Sequence, residues 1–176
     1  GDFVLLEING MIELNYQVMK VVGVVAGTSF QVAGLDGATG LDTSKYSTFT
    51  SGTAKKLTLG TSIPGVQDFS PVGGDIKTTD CTTVSDTSDK EIVVGATAQS
   101  KELTLQWDPS SAAQQAMRDA YATLANKAFR TVWPDGAWEA WYGTVGYTGA
   151  AGGGKQGVTT TKAKITQLGN STSGAS

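Results

Sequence analysis

Few residues in this chain could carry chemistry, and their spacing favours little of it. Gly149-Ala-Ala-Gly-Gly-Gly154-Lys155 fits the first seven positions of a phosphate-binding loop. The eighth position needs a Ser or Thr hydroxyl for magnesium and holds Gln156. Such a loop must also open into a helix whose N-terminus faces the phosphates. Val158-Thr-Thr-Thr follows instead and predicts a strand, so a flexible hairpin loop is the better reading. Asp80, Asp86, Asp89 and Glu91 crowd one stretch, but their spacing matches no calcium loop, and a solvated acidic loop is expected. Cys81 is the only cysteine, so no internal disulfide can form, which suits folding in a reducing cytoplasm. The chain has no histidine, so a Cys81 nucleophile would need a Lys or carboxylate base, and a small part-buried residue is expected. Trp107, Trp133, Trp138 and Trp141 could stack on sugars, yet core and interface packing are the stronger readings of them. Asn170-Ser171-Thr172 matches a glycosylation sequon and carries no weight alone. No metal, cofactor or catalytic set emerges, so an enzyme is the least favoured class.

Composition narrows the remaining classes. A net charge of −3, from 13 basic and 16 acidic residues, argues against nucleic-acid binding by counterion release. It leaves room for a surface that a nucleic acid slides past. A hydrophobic content of 39% supports a packed core, while no apolar run is long enough for a membrane span. No segment has the pattern of a signal peptide. The chain starts at Gly1 without an initiator Met, which leaves room for preceding residues in the gene product. Twenty-three glycines with abundant Thr and Ser predict short strands and turns rather than a helical bundle.

Patterning places the elements that would position these residues. Phe3 to Ile8 reads as a strand ending at the Asn9-Gly10 turn, followed by Tyr16 to Val25 and by Ser29 to Val32. Asp36 to Ser44 reads as a loop and Tyr46 to Thr50 as a short fourth strand. Lys55 to Gly60 is a strand or linker, and Asp75 to Thr79 a short strand. Asp80 to Lys101 is a long polar excursion with only Ile92-Val93-Val94 apolar at its middle, a kind of segment that is functional or mobile. Leu103 to Trp107 alternates like a half-buried strand. Asp108 as N-cap and Pro109 at the first helical position then open a helix over about residues 108–126. Ala113, Met117, Ala120, Tyr121 and Leu124 give that helix an apolar face. Ala128 to Trp133 and Ala137 to Tyr147 form a hairpin through Pro134-Asp135-Gly136, and alternation points Trp138 and Trp141 to opposite faces. Val158 to Leu168 is the last strand, and the tail, residues 171–176, is expected to be flexible.

Two family resemblances follow from these residues. Ile8-Asn9-Gly10-Met11, Glu13-Leu14-Asn15, Ser29-Phe30 and Tyr46-Ser-Thr-Phe-Thr-Ser-Gly52 resemble the first catalytic-cysteine half-domain (FCCH) of ubiquitin-activating enzymes. The module recurs as an accessory unit in phage structural proteins, and no ubiquitin chemistry is implied here. Residues 63–170 resemble the major tail tube protein of long-tailed, lambda-type (siphovirus) bacteriophages. That likeness rests on an ordered series: Ile63-Pro64-Gly65, Val84-Ser-Asp-Thr87, Glu102-Leu-Thr-Leu-Gln-Trp107, Gln114-Gln-Ala-Met117, Phe129-Arg130, Trp133-Pro-Asp-Gly136, Trp141-Tyr-Gly143 and Lys162 to Gly169. Family members begin with a strand and loop where this chain carries the FCCH-like segment.

The resemblance implies a mainly β fold: a tail-tube-type β-sandwich or barrel with one flanking α-helix, plus a small N-terminal β-barrel module. Residues 1–60 would be the module, an outer decoration, and residues 61–170 the tube domain. The implied function is a structural subunit that self-assembles into stacked, hexameric rings enclosing a channel for DNA delivery. Implied partners are the chain itself, the tape measure protein, tail terminator and distal tail proteins, and genomic DNA passing without specific binding, with no membrane. The implied location is the virion tail, after assembly in the host cytoplasm. Acids facing the lumen would repel DNA phosphates. The polar excursion would order on binding a neighbouring subunit or ring. Expected inter-subunit or inter-ring contacts are Asp86, Asp89, Glu91, Ile92, Val94, Trp138 and Trp141. The alternative is a tail-tip, baseplate or adhesin domain that binds host surface carbohydrate through its tryptophans.

Overall fold

A computed structural model describes residues 2–34, 37–153 and 157–175. Its strands are β1 (Phe3–Asn9), β2 (Gln17–Val25), β3 (Ser29–Val32), β4 (Ser51–Leu57), β5 (Val66–Val72), β6 (Ile76–Asp80), β7 (Glu91–Ala96) and β8 (Ser100–Gln106). Among the described residues one α-helix, α1 (Ala112–Ala122), precedes β9 (Asn126–Val132), β10 (Trp138–Gly146), β11 (Thr160–Gln167) and β12 (Thr172–Gly174), and a single 3-10 turn spans Ile12–Leu14. The fold is therefore mainly β with a single flanking helix, as expected. No described helix is long and apolar enough to cross a membrane.

Strand β10 organises the core. Its burial changes phase between Ala140 and Trp141, so both of its faces are covered. Trp141 and Val145 pack under α1 with Leu103, Leu105, Met117 and Ile165. Trp138 and Ala140 point the other way and close a second core with Phe3, Leu5 and Val18 of the first sheet. Trp138 and Phe3 meet edge to face, with ring centroids 5.1 Å apart. The opposite faces expected for the two tryptophans are thus observed. What alternation could not show is that one chain covers both.

The first sheet has the order β3-β2-β1-β4, all antiparallel. Its outer face buries Val4, Leu6, Leu14 and Met19, with Leu41 and Tyr46 laid over them. Glu13 fastens that cover, because its Oε1 accepts from the Ser47 amide at 3.1 Å and the Ser47 hydroxyl at 2.7 Å. The fourth strand is Ser51–Leu57 rather than Tyr46 to Thr50. The open edge of β1 accepts it along its full length, from Phe3↔Leu57 to Asn9↔Ser51. Tyr46 is instead spent as a lid on the outer core.

The second sheet runs β12-β10-β11-β8-β5, with β9 on the remaining side of β10. The C-terminal tail is not free. Strand β11 pairs only with Gly143 to Gly146, which leaves the start of β10 open on that side, and Thr172–Gly174 fill the gap opposite Trp138 to Ala140. Thr172 is buried there, its hydroxyl against Met19 Sδ at 3.3 Å.

Helix α1 is shorter than the sequence suggests at both ends. Asp108 makes a local turn instead of capping it: its Oδ1 accepts from the Ser110 amide at 2.9 Å and hydroxyl at 2.6 Å. Ser111 holds the N-cap position without a side-chain bond. Buried Gln114 ties the helix to the sheet, donating to the Gln106 carbonyl at 2.7 Å and accepting from the Tyr147 hydroxyl at 2.8 Å. At the far end the Ala125 amide bonds back to the Ala120 carbonyl, and Leu124 takes a left-handed φ of 51°. That turn throws Leu124 outward, and Tyr121 stands exposed on the helix, so neither joins the apolar face. A left-handed residue with a Cβ costs about 1–2 kcal/mol, and glycine gives back roughly 0.5–1 kcal/mol of that in chain entropy. Leu124→Gly is therefore expected to stabilise the fold by about 0.5 kcal/mol. A urea-unfolding midpoint that falls would contradict this.

Candidate assembly surfaces

Strands β6 and β7 form a two-stranded ribbon whose every residue is exposed. It pairs the short strand expected at Asp75 to Thr79 with the aliphatic middle of the polar excursion that follows. Its register runs from Ile76↔Ala96 to Asp80↔Glu91, with a bulge between Lys77 and Thr78. The turn at its end is tied by side chains. Thr83 donates its amide to Asp86 Oδ2 at 2.8 Å, Lys90 pairs with Asp86, and the Lys90 amide bonds Thr82 Oγ1 at 2.9 Å. Cys81 lies exposed beside this turn, not part-buried as expected.

Five of the seven expected contact residues meet on this ribbon. Glu91, Ile92 and Val94 lie on β7, and Asp86 and Asp89 in the turn before it. Ile92 and Val94 are 53% and 59% exposed, and Ile76 and Val93 are comparably open. The two tryptophans do not join them. Trp138 is 6% and Trp141 2% exposed, each buried by this chain's own helix or first sheet. Neither offers a free contact face, and neither offers a platform for a sugar ring.

Hydrogen bonds hold the Asp86 and Asp80 carboxyls below the ordinary carboxylate range. For Asp86 the chief cause is Lys90, then the Thr83 amide and hydroxyl; for Asp80 it is the Thr82 hydroxyl and then its amide. Groups with depressed folded values stabilise the turn fully above the ordinary value, and lose that effect as pH falls through the folded values. The Thr83 amide NMR shift is expected to titrate with a midpoint below about 3.9, and to stop titrating in Asp86→Asn. A midpoint at or above that value would contradict the assignment.

Two further surfaces were not legible in the sequence. One is the open half of the second sheet, where Asp68, Ser70, Glu102, Thr104, Lys162 and Lys164 line a shallow depression of about 350 Å³. It carries two acids and two bases, and Glu102 and Lys164 pair at 3.3 Å. The other is a groove of about 390 Å³ between the free edges of β4 and β9. Leu57, Leu59 and Tyr142 form its floor, and Lys55, Lys56 and Lys127 its rim, with Glu7 paired to Lys55. Strand alternation hints at the first surface, but nothing in the spacing of Lys55 and Lys127 announces the second. The glycine loop that mimics a phosphate site begins pinned, with Trp107 Nε1 donating to the Gly149 carbonyl at 3.3 Å. Its Gly154, Lys155 and Gln156 lie outside the described residues.

The ribbon, the open polar face and the edge groove are all features of a surface and not of a reaction centre. Among solved structures the chain is similar to one titled the virion of a native gene transfer agent particle, at 15% identity and a TM-score of 0.48, over 64% of this chain and 87% of that one. It is also similar to the SPP1 tail tube, at 12% identity and a TM-score of 0.45, over 99% of this chain and 77% of that one. No curated protein matches it. A family model described as phage tail tube protein matches residues 9–176, and so takes in most of the stretch that resembles an accessory module. The chain belongs to the phage tail tube protein family.

Proposed function

We propose that this chain is a self-assembling structural subunit of a bacteriophage tail tube, forming stacked rings, six copies to a ring, around a channel for DNA. The observation that carries the reading is the ribbon. An isolated two-stranded ribbon is marginal in water, and this one holds four exposed aliphatic residues, Ile76, Ile92, Val93 and Val94. Burial of those residues against another copy would remove the mismatch. The open edges of β4, β5 and β9 supply backbone groups that a neighbouring copy can pair, which is also how a ring removes an aggregation hazard.

The open polar face of the second sheet suits a channel wall. Its balanced charge gives a phosphate backbone no strong binding site. Within the virion the tube would enclose the tape measure protein, and terminator and distal tail proteins would close its ends. Negative-stain electron microscopy of the concentrated protein tests the reading. Hollow tubes or stacked rings are expected. Dispersed monomers or trimers under every salt condition and with tail-initiator complexes present would overturn it, and would favour a carbohydrate-binding tail-tip domain.

A further inference from the structure

The ribbon and the edge groove lie at opposite edges of one sheet and at the same height. A single row of paired residues crosses the sheet: Asn126↔Thr144, Thr144↔Thr166, Thr166↔Ser100 and Ser100↔Val72. Asn126 lines the groove, and the ribbon leaves the body four residues after Val72. Four strand spacings separate the two edges, roughly 19 Å. A copy that gives a ribbon at one edge and receives one at the other makes a head-to-tail contact, the kind that propagates into a ring or filament.

The two surfaces also match in chemistry. Residues 75–96 hold five acids and two bases, which accounts for the chain's whole excess of three negative charges. Directly paired residues share a face, so one face of the ribbon presents Thr78, Val93, Asp80 and Glu91 together. Asp80 and Glu91 stand opposite each other, an arrangement that costs energy while no cation faces them. The groove offers the complement, an apolar floor under a rim of Lys55, Lys56 and Lys127 that outnumber Glu7, with Lys55 paired to Glu7 and Lys56 to Asp2 within the chain. Lys127 has no ion pair among the described residues.

We propose that the ribbon of one copy seats in the groove between β4 and β9 of the next, with Val93 over the apolar floor and Asp80 and Glu91 against the lysine rim. The proposal rests on the tube reading, and names the contact that joins neighbouring copies. Charge complementarity sets register and partner, and Val93 supplies the apolar burial.

Native Cys81 makes the test direct, because it lies exposed at the end of β6. Thr58 lines the groove and carries no charge. The unaltered chain has one thiol, so a bis-maleimide can join at most two copies. Thr58→Cys adds a second thiol, and tubes of this variant should give a ladder of trimers and larger products on a denaturing gel. Tubes whose products stop at the dimer would overturn the docking and leave the tube reading standing. No tubes from the unaltered chain would overturn both. As a second measurement, Lys55→Glu with Lys127→Glu should cut tube yield roughly tenfold or more. Adding Asp80→Lys and Glu91→Lys to the same chain should restore it. A reversal that leaves the yield unchanged, or a swap that fails to restore it, counts against the docking.

Discussion

Excising residues 76–96 and closing the gap with a Gly-Ser turn should abolish tube formation and leave the fold intact. The ribbon's base is already a turn-sized junction. The Asp75 amide donates to Thr97 Oγ1 and the Thr97 amide to the Asp75 carbonyl, both at 2.9 Å. None of the excised residues belongs to any of the three buried clusters. The melting temperature of the excised chain should therefore stay within about 3 °C of the parent, the shift that roughly 1 kcal/mol produces at this size. Its assembly should disappear, because the exposed aliphatic residues and the acids that would engage a second copy are gone. Calorimetry and negative-stain microscopy on the same preparation separate the two effects. Tubes from the excised chain would remove the ribbon from the assembly account. A collapsed melting temperature would show that the ribbon braces the monomer.

The second large effect is expected inside the core. Lys101 is 7% exposed and its ammonium pairs with Glu139, whose side chain is 17% exposed. The same ammonium lies 4.7 Å from the Trp141 ring centroid and 5.5 Å from that of Phe69. Lys101→Met keeps the stem and the aromatic contact but strands the Glu139 carboxylate in a nearly dry site. Breaking a buried pair in this way costs about 3–5 kcal/mol, or a fall of roughly 6–20 °C in melting temperature. The double variant Lys101→Met, Glu139→Leu removes the orphaned charge and should recover most of the loss. A single variant that melts within about 2 °C of the parent would mean that water already reaches the pair.

Much of the architecture was readable beforehand. Pro134-Asp135-Gly136 marked its hairpin, and the helix was found between its two strands, though its length was overstated. Asp108 shows why: a short acid beside Ser110 satisfies a local turn as well as it would cap a helix, and spacing does not say which wins. The excursion after Asp80 was recognisable as unusual, because so polar a stretch with one aliphatic triplet has no core to join. Its pairing into a ribbon was missed, since Ile76 to Asp80 and Glu91 to Ala96 are too mixed in character to announce each other.

The sequence by itself determined the class, the family and the strand, helix and hairpin from Leu103 to Tyr147. Alternation also fixed that Trp138 and Trp141 face opposite ways. Only the tertiary structure decided what covers each face. Period-two patterning specifies which side chains point together and is silent about what lies across from them. The first sheet on Trp138 depends on contacts between residues more than a hundred positions apart, the helix on Trp141 on packing across an intervening strand, and the C-terminal strand beside Trp138 on an edge left open elsewhere. The same holds for the groove. Lys55 and Lys127 belong to strands of different sheets, and their shared rim exists only because β4 and β9 both end their sheets at the same side of the molecule.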